Sequence, residues 1–227
     1  LKAQHAAGKR HIVVDAIRDA DLMEIGAAAQ DLALVTGGSG VALGLPRNFG
    51  CVPGPVPWRG QAGRAIALSG SCSIATRAQV REHAKTNPCR EIVAADVIEG
   101  NLTAAELADW LLAQDGLPLA YSSADPDVVK EVQATYGIDQ SAKALERLFA
   151  DTARACVAGG ATRVITAGGE TSGAVVEGLG LGTLEIGPEI DPGVPCLRAG
   201  PDLVVALKSG NFGAPDFFAK ADKALGG

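Results

Sequence analysis

A chain of 227 residues, 47% hydrophobic and 20% charged, is globular and long enough for one substantial core, or one and a fraction. A net charge of −6 without a basic run argues against a nucleic-acid surface, and no apolar run approaches the ~18 residues that a membrane-spanning helix needs. Abundant alanine and glycine, with only 4% aromatic residues, favour closely packed α/β layers over an aromatic-rich β-sandwich. Cys51, Cys72, Cys89, Cys156 and Cys196 form neither a CxxC pair nor a Cys/His metal spacing. An odd, scattered set of this kind fits a reducing, cytoplasmic compartment.

The chain opens Leu-Lys-Ala-Gln-His, with neither Met nor a signal pattern, and is expected to be the C-terminal part of a longer protein. The pattern predicts a strand over 11–14, a helix over 22–30 capped by Asp19 or Asp21, and a second strand over 32–35. Thr36-Gly37-Gly38-Ser39-Gly40 then leads into a helical 41–45, a strand–glycine–helix unit suited to an anion or to a tight turn. Pro53, Pro55 and Pro57, interleaved with Gly50, Gly54, Gly60 and Gly63, exclude a helix and read as a linker. The expected organisation is therefore the tail of one domain over 1–52, a linker over 53–63, and a second domain over 64–227.

In that second domain, an apolar strand over 65–68 is followed by the small polar turn Ser69–Ser73 and a helix over 74–85. A strand over 91–97 comes next, then a helix through Leu112 whose Thr103 and Glu106 have capping-box spacing. Further on, the pattern predicts a strand over 117–121 ending at Ser122-Ser123, and a helix over 127–136. An amphipathic helix over 141–158 follows, ended by Gly159-Gly160. Val164-Ile165 is a strand that breaks at Gly168-Gly169, with a helix resuming from 174. A strand over 183–186, a proline-rich connection over 188–195, a strand over 203–207 and a helix over 216–224 complete the chain. Strands alternating with helices imply a layered α/β/α fold with a largely parallel sheet, plus the remnant of a second α/β domain at the N-terminus.

Three of these strand ends share one grammar: Ser69–Ser73, Gly168–Gly173 and Lys208–Gly213 are all small, polar and followed by helical sequence. Strand–turn–helix junctions leave backbone N–H groups without partners, and the helix dipole favours negative charge there. Three such junctions suggest one crevice at the carboxyl edge of a parallel sheet.

Taken in order, Leu68-Ser69-Gly70-Ser71-Cys72-Ser73 with Thr76 and Gln79, Ala167 to Gly173, Gly187 to Pro195, and Leu207 to Gly213 with Asp216-Phe217-Phe218 resemble a known family. They are similar to the nucleotide-binding C-terminal half of the four-carbon acid sugar kinases, which include the 3-oxo-tetronate, threonate and erythronate kinases. The first 50 residues resemble the end of that family's substrate domain. The acidic Asp-Asp-x-Thr-Gly motif of its N-terminal domain is not in this sequence, so the sugar-acid site and the base for its hydroxyl are expected to lie outside the chain. The resemblance implies an ATP-dependent kinase that phosphorylates a terminal hydroxyl of a four-carbon sugar acid, this chain supplying mainly the ATP half. It implies ATP and Mg²⁺ as cofactors, a sugar acid as partner, no nucleic acid, no membrane, and leaves a homodimer open.

By that resemblance Ser69, the Gly168–Thr171 turn and Gly213 contact ATP. Backbone donors at Gly168, Gly169, Gly210 and Gly213, with Asn211 in the same turn, are expected to grip the phosphates. Ser71 and Thr171 offer hydroxyls, Glu170 is the candidate Mg²⁺ residue, and Lys208 is the candidate for charge stabilisation. Asp191 reads as a turn cap. Two alternatives stand beside this: a nucleotide-binding module without activity of its own, and an acyl-transfer enzyme built on Cys72. The second lacks a nearby base, because His83 lies ~15 Å down the following helix at 1.5 Å per residue. Gly178-Leu179-Gly180-Leu181-Gly182 lacks the spacing of a dinucleotide fingerprint.

Overall fold

A computed structural model describes residues 2–122 and 126–227; Ser123, expected at the end of a strand, lies outside them. The chain divides into two compact units, Leu1–Pro55 and Val56–Gly227.

The first unit holds α1 (Lys2–Ala6), α2 (Asp19–Ala28) and two 3₁₀ turns, Ser39–Gly44 and Pro46–Phe49. α2 begins three residues earlier than the sequence suggests. Asp21 reaches back to accept hydrogen bonds from the Ile17 and Arg18 amides at 3.0 and 2.9 Å. A Cβ on Gly26 would lie 2.3 Å from the Gly44 carbonyl, so this pair lets the 3₁₀ turn sit directly on α2. The strands expected over 11–14 and 32–35 do not form. Val13 and Leu34 are 92% and 82% exposed, and among the described residues neither segment has a neighbouring strand. β-branched sequence favours a pleated, half-buried surface and has no hold on the backbone where that surface is lacking. The helix expected over 41–45 is likewise replaced by the 3₁₀ turn, so no strand–glycine–helix unit is built around Thr36–Gly40.

The second unit is a layered sheet. Its strands are β1 (Arg64–Ser69), β2 (Cys89–Glu91), β3 (Leu119–Tyr121), β4 (Ala161–Ala167), β5 (Glu185–Asp191), β6 (Val194–Arg198) and β7 (Val204–Lys208), in the spatial order β2-β3-β1-β4-β7-β6-β5. From β2 through β7 every pairing is parallel, and β6 and β5 add on antiparallel. Side chains alternate between two faces. Ile66, Leu68, Val164 and Val205 join one core with α5 (Ala104–Ala113), α7 (Ile138–Ala158) and α8 (Gly169–Gly178). Ala65, Ala67, Ile165 and Ala206 join the other with α3 (Ile74–His83) and α9 (Phe217–Gly226). α5 starts on the expected capping box: Thr103 Oγ1 accepts from the Glu106 amide, and Glu106 accepts from the Thr103 amide at 2.9 Å. α6 (Pro126–Tyr136) precedes α7.

Two segments differ from the sequence expectation. The apolar run after residue 91 does not extend a strand; it turns into α4 (Ala94–Ile98), which packs on α7 and places Val97 against the core. The proline-rich connection over 188–195 is a β-hairpin. Pro192 and Gly193, with φ +78° at the glycine, occupy the two central places of a type II turn pattern, and Pro188 lies on the outermost strand, where its missing N–H is tolerated. Asp191, buried at the hairpin tip, accepts from the Ala214 amide at 2.9 Å and pairs with Lys220 at 2.9 Å. It therefore ties the hairpin to the segment after β7.

Within the stretch expected as a linker, Trp58 donates from Nε1 to Ala224 O at 2.9 Å, and the Arg198 guanidinium lies 5.3 Å from its ring. A Cβ on Gly187 would come within 2.4 Å of that ring. Trp58→Ala opens a cavity against β5 and α9, and urea unfolding is expected to show a loss of ~2 kcal/mol or more.

Candidate nucleotide site

The register of the sheet sets the site. Ser69 is opposite Ala167 and Ala167 is opposite Lys208, so β1, β4 and β7 end in one row. After β1 the chain passes to the α3 face and on to β2 and β3; after β4 it passes to the α8 face and on to the opposite half of the sheet. β1 and β4 therefore flank a topological switch point, where open α/β sheets leave a crevice beyond their carboxyl ends.

The three turns touch. A Cβ on Gly70 would lie 2.3 Å from Thr171 Oγ1, one on Gly168 would lie 3.4 Å from Ser71 Cβ, and one on Gly210 would lie 2.6 Å from Ser71 Oγ. Gly168, with φ +124° and ψ +134°, adopts a backbone conformation reserved for glycine at the junction of β4 and α8. Its N–H is committed to Lys208 O at 2.8 Å, and that of Gly70 to Ala167 O at 3.0 Å. Gly168 thus contributes shape, while the open donors come from the helix start. The first i→i−4 bond of α8 runs from Ser172 N to Gly168 O, which leaves the amides of Gly169, Glu170 and Thr171 in the unbonded first turn. On the other side of the sheet, Ser73 caps α3 by accepting from the Thr76 amide at 3.2 Å, and Ser71 Oγ accepts from the Ser73 amide at 3.2 Å. Two helix N-termini thus converge on one strand edge and make it electropositive despite the acidic chain.

The expected site residues fall into two layers. Gly169, Glu170, Asn211 and Cys72 are exposed, Ser71, Gly210 and Gly213 are half-buried, and Ser69, Gly168, Thr171 and Lys208 are buried. Glu170 makes no hydrogen bond or ion pair with the described residues. Ser172 turns inward, 2.7 Å from Thr166 Oγ1. Lys208 is no surface lysine: its Nζ donates to Thr76 Oγ1 at 2.9 Å, Ser209 O at 3.2 Å and Gly210 O at 3.3 Å. Burial pushes that ammonium from 10.5 down to about 8. Among the described residues no cluster of three or more His, Cys, Asp or Glu side chains could hold a metal by itself. Two cavities of about 310 and about 500 Å³ lie along α7, lined by residues such as Ala144 and Arg147, away from this edge. The turns themselves form an open shelf of main chain and small side chains.

Behind the shelf stand residues that site reasoning passed over. Gln79 donates from Nε2 to Phe212 O, Gly213 O and Ala214 O at 3.0, 2.8 and 3.1 Å. Thr76 donates to Gly210 O at 2.8 Å, as does Ser73. Both hold the third turn against α3. Their signal is in the sequence: Thr76, Gln79, Val80 and His83 share the buried face of α3, and three of the four are polar. His83 bonds Leu117 O at 2.8 Å through Nε2 and packs on Phe218, so it is a core residue and gives Cys72 no base. Burial lowers its pKa below the ordinary 6.5. The unfolded chain then takes up the proton first as pH falls below 6.5, and stability declines in that window. Urea midpoints measured through it should fall more steeply for the native chain than for His83→Gln.

Comparisons with known proteins find relatives along the chain. A family model described as a nucleotide-binding C-terminal domain matches residues 66–218, and one described as a sugar-binding N-terminal domain matches residues 1–45. The chain is 44% identical to a 3-oxo-tetronate kinase of Cupriavidus necator, over 100% of this chain and 55% of that one. It is 42% identical to a 3-oxo-tetronate kinase of Pectobacterium atrosepticum, over 95% and 54%. A solved structure from Haemophilus influenzae superposes with a TM-score of 0.75 at 35% identity, covering 99% of this chain and 56% of that one. A domain-swapped dimer from Bordetella bronchiseptica, crystallised with bound citrate, matches at a TM-score of 0.56 and 25% identity, over 98% and 55%. The chain spans about half the length of these relatives.

Proposed function

Because the chain belongs to the four-carbon acid sugar kinase family, we propose that it supplies the ATP-binding half of a kinase that phosphorylates a terminal hydroxyl of a four-carbon sugar acid. The observation that carries this reading is the convergence of the β1, β4 and β7 turns on one strand edge between two helix N-termini. Phosphoryl transfer asks for positioning and charge neutralisation, and the open amides of Gly169, Glu170 and Thr171 can provide both for a phosphate chain. Ser71 and Asn211 border the same shelf and add polar contacts. Domain boundaries near 52 and 64 are part of this proposal, with the sugar acid held by residues outside the chain. A homodimer is proposed as well, supported by the domain-swapped Bordetella relative.

Mg²⁺ fits the donor set only as a partner of the nucleotide. One carboxylate, Glu170, and neighbouring hydroxyls suit an ion that keeps much of its water and takes its other ligands from phosphate oxygens. When bound it would neutralise charge on the phosphates; Glu170 would orient its water shell. Titration calorimetry with a nonhydrolysable ATP analogue tests the reading. Binding by the native chain is expected, with Mg²⁺ strengthening it. Glu170→Ala should lose about tenfold in the Mg²⁺-dependent part, the size of one charge-assisted hydrogen bond, and keep the Mg²⁺-free part. No binding with or without Mg²⁺ would overturn the reading.

A further inference from the structure

Lys208 is a cation sealed in the protein, with no carboxylate beside it among the described residues. It is fully buried, its three N–H donors meet three oxygens, and the Phe217 ring lies 5.6 Å from Nζ. Two of those oxygens belong to the turn after β7, and the third, Thr76 Oγ1, belongs to α3, which follows β1. The ammonium therefore ties the third turn, from behind, to the helix that follows the first.

The charged and titratable groups on the surrounding elements are engaged elsewhere. On α3, Glu82 pairs with Lys85, His83 bonds Leu117 O, and Arg77 and Arg81 carry the same sign as Lys208. Around α9, Asp216 and Asp191 pair with Lys220, Asp222 pairs with Arg163 from β4, and Lys223 is exposed. On β6, Arg198 bonds the Arg59 carbonyl, and burial raises the Cys196 thiol to about 11.

We propose that Lys208 is a positioning residue of the nucleotide site: its ammonium, donating to Thr76 Oγ1, Ser209 O and Gly210 O, holds the Ser209–Gly213 turn on α3 in the geometry that a phosphate chain meets. The proposal rests on the nucleotide reading above. A neutral amine has two donors and a lone pair facing three oxygens, so one of the three loses its donor and meets the lone pair instead. A phosphate chain in front of the turn favours the charged amine, so binding above the depressed pKa takes up a proton. Global stability moves the other way. Between about 8 and 10.5 the unfolded chain holds the proton that the folded chain has lost, so this group's contribution rises with pH. The same holds for a local opening that lets water reach Nζ, so affinity and stability run in opposite directions across this window.

The test uses the full chain as native protein, Lys208→Met and Thr76→Val. Amide hydrogen exchange of residues 209–213 is followed without nucleotide, corrected for intrinsic rates, and analogue affinity is measured with Mg²⁺. In the native chain, affinity is expected to fall about tenfold between about pH 7 and about pH 9.5 while turn protection does not fall. Lys208→Met should bind weakly with no such dependence. Thr76→Val, which keeps the lysine, should bind more weakly near neutrality and still titrate, and it carries the test if Lys208→Met does not fold. Affinity that stays constant across this range in the native chain, or the same titration in Lys208→Met, overturns the positioning role. If Lys208→Met loses turn protection but no analogue binds to any of the three proteins at any pH, the hold on the turn stands and the nucleotide reading falls. If analogue binds without pH dependence, the positioning role alone falls.

Discussion

Gly169→Val is expected to weaken binding of a nonhydrolysable ATP analogue by ~100-fold while leaving the unfolding midpoint nearly unchanged. A phosphate reaching the α8 amides must come within hydrogen-bond distance of the main chain, and a branched side chain at the first helical position stands in that path. Two charge-assisted hydrogen bonds at ~1.5 kcal/mol each correspond to this fold-change. The fold has no reason to object. Gly169 is exposed, a Cβ there meets nothing within 4 Å, and its φ is not among the positive ones. Valine also costs a helix no more than glycine does. Calorimetric titration beside thermal unfolding checks both halves. Unchanged affinity would place the phosphates elsewhere.

Gly70→Ala has the opposite profile. Its Cβ would meet Thr171 Oγ1 at 2.3 Å and Phe149 Cε2 at 3.0 Å, both on buried side chains of the α8 and α7 layer. The first turn is then forced away from the second. Overpacking of this kind costs ~1–3 kcal/mol. In a chain of this size that lowers the unfolding midpoint by ~5 °C or more. Analogue binding should fall with it, because the two turns separate. Thr171→Ala removes the clashing oxygen. The double variant Gly70→Ala/Thr171→Ala should regain most of the lost stability, a coupling that independent sites would not show. Full additivity in this cycle would refute the contact.

The contrast between these two glycines shows how far the sequence can be read. Ser69–Ser73, Gly168–Gly173 and Lys208–Gly213 stood out as three junctions with one composition, and the layered, largely parallel sheet followed from strands alternating with helices. Which glycine faces a ligand and which faces a neighbouring turn depends on partners distant in the chain. Residues 70 and 171 are 101 positions apart, and only the adjacency of β1 and β4 brings them together. Lys208 makes the same point. The sequence marks Lys208 as a cation beside a glycine turn, the candidate for charge stabilisation, but alternation along β7 puts it, buried, on the α3 face under Thr76 and Phe217. The hairpin at 185–198 was hidden because Pro188, Pro192 and Pro195 signal breaks locally, whereas the edge strand takes Pro188, the turn takes Pro192, and Pro195 sits in β6 just before its pairing with β7 begins at Cys196.

Local chemistry in the sequence determined the identity of the turns, the Thr103–Glu106 cap and the amphipathic run of α7. These depend on residues within one or two turns of one another, and their energetics are largely complete at that range. Tertiary structure decided the strand order, the switch point between β1 and β4, the burial of Lys208 and the absence of strands over 11–14 and 32–35. Each of these is settled by what lies across the sheet: a backbone N–H or a buried charge is stabilised only by a partner that the fold delivers, and no local pattern specifies that partner.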